Sequence, residues 1–177
     1  MTVSIDGTAG ITYPAGTGVQ SVGATLMTAQ VSTSGTSIDF TGIPAGVKRI
    51  TVMFDQVSTN GTSVVIVQIG SGSIVSTGYV SSGGAVYGTN LSFVATATGG
   101  FVIPGTTASQ SRVGHLVMTL IGSNTWVASS VTSDFVAGNN TFSGGRLALS
   151  GVLDRVRITT GNGTDAFDAG SINVLYE

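Results

Sequence analysis

The chain has 177 residues, only 8% of them charged, and a formal net charge of −2. A typical soluble domain carries about 25% charged residues, so this balance excludes the basic stripe needed to grip nucleic acid and gives no attraction to an anionic membrane surface. Cysteine is absent, which excludes a disulfide framework and a thiolate metal site. The length fits one domain that buries roughly 70% of its unfolded surface.

Polarity comes instead from Ser, Thr, Asn and the 27 glycines. Copies of such a chain repel one another weakly, which suits a component of an assembly. Residues 1–30 are small and polar with isolated apolar positions, and "TYPAGTG" reads as a turn. This segment is too thin to fold alone. It is expected to be a docking arm, with Ile5, Ile11, Tyr13 and Pro14 as the candidate docking residues. It has neither the basic n-region nor the apolar h-region of a secretory signal. No apolar run approaches the ~18 residues of a membrane helix, so no membrane insertion is expected.

From residue 31 to 177 the pattern is that of one β domain. Val, Ile, Thr and Ser abound, no stretch sustains a helical period, and short alternating runs are bounded by Gly, Asn and Ser. "TSIDF" is the first strand. "KRITVMFDQV" follows, with Ile50, Val52 and Phe54 on one face and Arg49, Thr51, Met53 and Asp55 on the other. "VVIVQIG" is continuously apolar, as in the middle of a sheet. "SIVSTGYV", a Gly-Ser loop "SSGGAVYG", "LSFVATA" and "GFVIPG" come next. "HLVMTLIG" and "TWVASSV" flank Ser123-Asn124 as a hairpin. "GRLALSGVLDRVRITT" and "GSINVLYE" close the chain. Nine to eleven such strands predict an all-β fold, an antiparallel β-sandwich of jelly-roll type with an extended N-terminal arm.

One phrase is written twice. "VKRITVMFDQVSTNGTS" (residues 47–63) and "LDRVRITTGNGTDAF" (153–167) each place arginine on one face of a strand, Ile or Val on the other, and end in Asn-Gly-Thr. Two equivalent strand–turn units are expected, side by side as in a jelly roll.

Motifs for chemistry are poor. Gly161–Phe167 fits most of one calcium-roll nonapeptide, but such rolls need stacked copies; a loop whose Asp165 and Asp168 cap their own backbone is the simpler reading. There is no nucleophile elbow. His115 stands alone at a strand start, and the spacing of the aspartates selects no glycosidase pair. No enzyme activity, metal or cofactor is expected. The sequons at Asn60, Asn90, Asn139 and Asn162 read as turn chemistry rather than glycan sites. Trp126, Tyr79, Tyr87 and Phe142 could form a sugar-binding surface; of these Trp126 is expected in the core or at a subunit interface, whereas Tyr79 and Tyr87 flank the Gly-Ser loop and are the better candidates for exposure and host-surface binding.

Several phrases together resemble a known class. "SIDGTAGITYPAGT" resembles the leader of many bacteriophage tail-fibre and related virion proteins. "SIDFTGIPAGVKRITVMFDQVSTNGTS", "SNTWVASSV" and "LSGVLDRVRITTGNGTDAFDAGSINVLYE" resemble a module found at the end of such proteins. The resemblance implies a non-enzymatic virion structural protein, a homotrimeric β-sandwich. Family members often carry the module on a much longer fibre. Here the leader joins it almost directly, so the expectation is a short tail fibre or fibre tip. Other virion proteins would be its partners through the arm, and a host-surface glycan its ligand. The alternative expectation is a capsid decoration protein or head fibre.

Overall fold

A computed structural model describes residues 4–6, 10–12, 23–105, 107–108, 110–134 and 138–177. The strands, in chain order, begin with β1 (Ser4–Asp6), β2 (Gly10–Thr12), β3 (Thr25–Leu26), β4 (Gln30–Val31), β5 (Ser37–Thr41) and β6 (Arg49–Thr59). They continue with β7 (Val65–Ser71), β8 (Ser73–Ile74), β9 (Val80–Tyr87), β10 (Asn90–Ala97) and β11 (Phe101–Ile103). The last five are β12 (Arg112–Gly122), β13 (Thr125–Asp134), β14 (Asn139–Ala148), β15 (Arg155–Thr160) and β16 (Phe167–Tyr176). Among the described residues from Ser37 onward, eleven strands have three residues or more, within the number expected.

The strands form two antiparallel sheets besides the β1–β2 hairpin. The larger has nine strands in the order β10-β9-β14-β13-β12-β6-β16-β3, with β4 also on β16; the smaller has five, β11-β7-β15-β5, with β8 on β7. Alternation decides which face turns inward. Ile50, Val52 and Phe54 of β6, Leu116 and Met118 of β12, and Trp126 of β13 pack against Ile38 and Phe40 of β5, Val67 and Ile69 of β7, and Val156 and Ile158 of β15. At about 25 cal/mol per Å² of apolar surface removed from water, this shared core is what holds two sheets together.

The doubled phrase explains the wrapping. Its two strands, β6 and β15, lie in different sheets and are not neighbours, contrary to expectation. Each instead crosses from one sheet to the other: β6 leads over into β7, and β15 into β16. The crossings run in opposite directions, so β6 pairs with β16 and β7 with β15. A two-stranded ribbon is thereby folded over the sandwich, the jelly-roll arrangement. The two Asn-Gly-Thr turns meet at the fold of the ribbon and bond to each other. Asn60 N–H donates to Ala166 O (2.9 Å) and Ala166 N–H to Asn60 Oδ1 (2.9 Å). Ser63 N–H donates to Asp165 Oδ2 (2.9 Å), and Asn162 N–H to Ser63 Oγ (3.1 Å). Gly61 leaves room for this contact: a Cβ at that position would sit 2.1 Å from the Asp165 carboxyl carbon, so the carboxyl would have to move.

Two segments depart from the sequence reading. "SSGGAVYG", expected as a loop, is mostly strand β9. Its central glycines hide the alternation, since glycine weakens a strand and marks close approach of another backbone. At Gly83 a Cβ would come within 2.6 Å of Pro104 Cγ and 2.7 Å of Phe142 O. "SIVSTGYV" is broken after the two-residue β8, and the chain then turns toward β9. The β12–β13 hairpin turns at Ser123 and Asn124, with φ of 46° and 56°. Both residues are left-handed, as the two-residue turn that matches strand twist requires.

Candidate functional site

The expected docking residues divide sharply. Ile5 and Ile11 are directly opposed partners in the β1–β2 hairpin. Tyr13 and Pro14 lie outside the described residues. From Thr25 the chain follows β16: Leu26 opposes Leu175, Val31 opposes Ser171, and Ser32 bonds to Gly170 O through its N–H (2.9 Å) and to Ala169 O through its hydroxyl (2.7 Å). The residues just before 31 are thus built into the edge of the larger sheet.

Tyr79 corrects the expectation of a host-contacting side chain. It is only 1% exposed. Its ring meets Phe101 edge to face at 5.0 Å. Its hydroxyl accepts from Ile69 N–H (2.7 Å) and donates to Val75 O (3.0 Å). The strand break after β8 leaves these backbone groups without ladder partners, and buried polar groups must find one. Burial pushes the phenol well above its usual pKa. Tyr79 is therefore a structural pin. Tyr87, at the end of β9, is partly exposed beside the equally exposed Val86. Trp126 is in the core, as expected.

The aspartates of the calcium-like loop do not cap their own backbone, contrary to expectation: that role falls to Asn162 Oδ1, which accepts from Thr164 N–H (3.0 Å) and Asp165 N–H (3.1 Å). Asn162 Nδ2 donates to Asp165 Oδ1 (2.6 Å), and this bond, helped by Ser63 N–H, holds the carboxyl below the usual carboxylate range. Asp168 accepts from the Ser58 hydroxyl. Among the described residues no group of three or more His, Cys, Asp or Glu side chains is placed to share a metal ion.

What the sequence did not reveal is the outer face of the larger sheet. Register brings Val113 and His115 of β12, Val131 of β13, Phe142 of β14, and Val86 and Leu91 of the β9–β10 hairpin onto one side. Leu91 is 74% exposed, Val131 59% and Phe142 45%. Phe142 and Leu91 border a shallow groove of about 330 Å³ floored by Gly83, Gly84 and Gly144. On the outward positions of β12, β13 and β14 the only titratable side chains are His115 and Arg146. Isolated exposed apolar residues are ordinary, but a contiguous patch with almost no charge marks an interaction surface. The signal for it was present as the outward half of each alternating strand. It could not be separated from the inward half until the topology was known.

Comparison with family models, with curated proteins and with solved structures finds no match.

Proposed function

We propose that this chain is a bacteriophage virion structural protein, a short tail fibre or fibre tip that works as a homotrimer, docks through its N-terminal segment and contributes to host-surface attachment. The observation that carries the assembly half of this reading is the apolar outer face of β9, β10, β12, β13 and β14. A partner of high charge would leave its charges desolvated and unmatched against that face. A second copy of this low-charge chain would not, and closed symmetry would hide the face completely. The phage half rests on the resemblance of the leader and of the closing phrase to virion appendage proteins.

Two experiments test the halves separately. Light scattering on the purified chain is expected to give three times the chain mass, and Phe142→Glu is expected to give monomers with an unchanged β spectrum. A monodisperse wild-type monomer would overturn the trimer. Gold-tagged antibody on intact particles is expected at the tail under the electron microscope. Gold over the head would replace the fibre reading with capsid decoration.

A further inference from the structure

The opposite side of the sandwich has a different chemistry. The outward row of the smaller sheet places Gln68 of β7 beside Arg157 of β15 and Arg157 beside Asp39 of β5; the next row places Ile66, Thr159 and Ser37 together. Ser76 and Gly99, from the connections before β9 and before β11, rise beside these rows and turn the surface into a groove of about 400 Å³. Its walls are lined by Ser37, Gln68, Ser76, Arg157, Thr159 and Asn162, with Ile66 as the apolar contribution to the floor.

The hydrogen-bonding groups in this groove are preset. Arg157 makes a two-pronged pair with Asp39, Nε to Oδ1 and Nη2 to Oδ2, both at 2.7 Å. The pair uses two of its three nitrogens and keeps Nη1 as an oriented donor. The same bonds from Asp39 raise the arginine above its usual pKa. Gln68 Nε2 donates to Gly99 O at 2.8 Å, which fixes the amide so that its oxygen is the end left to accept. Thr159 Oγ1 donates to Thr36 O at 2.7 Å. Ser37 and Ser76 are exposed hydroxyls.

We infer that this groove is a binding site for a neutral oligosaccharide. Vicinal hydroxyls are donors and acceptors at once, so a surface that recognises them must offer donors and acceptors in alternation over a few ångströms, held rigid to limit the ordering cost. Gln68, Arg157 and the hydroxyls of Ser37, Ser76 and Thr159 do this along the groove, while Asp39, outside its lining, holds the arginine in place. A polyanion would need uncompensated cations, and the only cation lining the groove is neutralised by Asp39. As the means of host attachment this site rests on the function proposed above, whereas sugar binding by the purified chain does not.

The test is an array of neutral bacterial oligosaccharides probed with the full chain, followed by titration calorimetry on the sugars that bind. Wild type is expected to bind at least one. Arg157→Ala and Gln68→Ala are expected to weaken it about tenfold or more, as when hydrogen-bonding groups are deleted from a polar site. Ser76→Trp, on an exposed connection away from the core, is expected to abolish binding by filling the groove while leaving the melting temperature unchanged. Tyr87→Ala is expected to change nothing. No binding across the array, or binding that survives both Arg157→Ala and Ser76→Trp, would overturn the site. Light scattering on the same samples keeps the two ideas apart. Trimers that bind no sugar refute the groove alone, and monomers that bind sugar refute the trimer alone.

Discussion

Replacing Tyr79 by phenylalanine removes one oxygen and tests whether this residue is a pin or a contact. The ring stays, and with it the edge-to-face packing on Phe101. Ile69 N–H loses its acceptor and Val75 O its donor, both in the interior. An orphaned buried donor costs ~1–3 kcal/mol and an orphaned carbonyl less, and removing a desolvated hydroxyl returns part of this. A net loss of about 2 kcal/mol follows. With a urea m-value of ~2 kcal/mol per molar, the unfolding midpoint should fall by about 1 M with m unchanged. Tyr79→Ala should lose more, since a buried aromatic-to-alanine change costs ~3–5 kcal/mol. Equilibrium urea unfolding followed by tryptophan fluorescence reads both, with Trp126 as the probe. A Tyr79→Phe midpoint within about 0.2 M of wild type would refute the pin and restore Tyr79 as a surface residue.

Three other outcomes can be measured with the same assay. Gly61→Ala should destabilise by about 1–2 kcal/mol, because the new methyl displaces the Asp165 carboxyl from Ser63 and Asn162; in an Asp165→Ala background the same change should cost far less, and an additive double-mutant cycle would contradict the contact. Arg112 is buried at the sandwich end of β12, its pKa pushed down to about 10 by burial and opposed by Asp134 across the strand. Its guanidinium donates to Gln110 O (3.2 Å) and Gly105 O (3.3 Å), so Arg112→Met should cost ~2–3 kcal/mol by leaving these buried carbonyls without their donor; an unchanged urea midpoint would contradict this. The third outcome is a dependence on acid. Asp154, bonded by Arg155, and Asp165, bonded by Asn162, both titrate below their ordinary values in the fold. On acidification the unfolded chain takes up these protons first, so their stabilisation is intact above about pH 4 and is lost as the pH falls further through the folded-state values. Midpoints that stay level from pH 5 to pH 3 would contradict this.

Much of the fold was legible because inward and outward residues alternate so regularly. Ile50, Val52 and Phe54 could be assigned to one face from spacing alone, and Asn124 is a residue type that tolerates left-handed backbone. Strand β9 was not legible. Gly83 is there to admit Pro104 and the backbone of Phe142, and in one dimension a glycine that makes room looks like a glycine that makes a turn. Tyr79 was misplaced for a related reason: it follows Gly78 and precedes a serine-glycine run, and nothing local shows that the N–H of Ile69, ten residues earlier, takes the phenol rather than a strand carbonyl as its acceptor. The groove on the smaller sheet joins Ser37, Gln68, Ser76 and Arg157, residues scattered over more than a hundred positions, so only the β5–β15–β7 register could assemble it.

The interlocked Asn-Gly-Thr turns also set the order in which the chain can be completed. The bonds from Ala166 to Asn60 and from Ser63 to Asp165 join residues 106 and 102 positions apart. β15 lies between β5 and β7, and β16 lies beside β6, so the strands made late are interior to both sheets. Until they arrive, β5, β6 and β7 each keep an edge open to stray strands. Closing so long a loop is slow, and the ribbon is the last thing to form. The chain therefore spends its synthesis as an unfinished sandwich, and the final strands act as the latch that takes its edges out of reach of its neighbours.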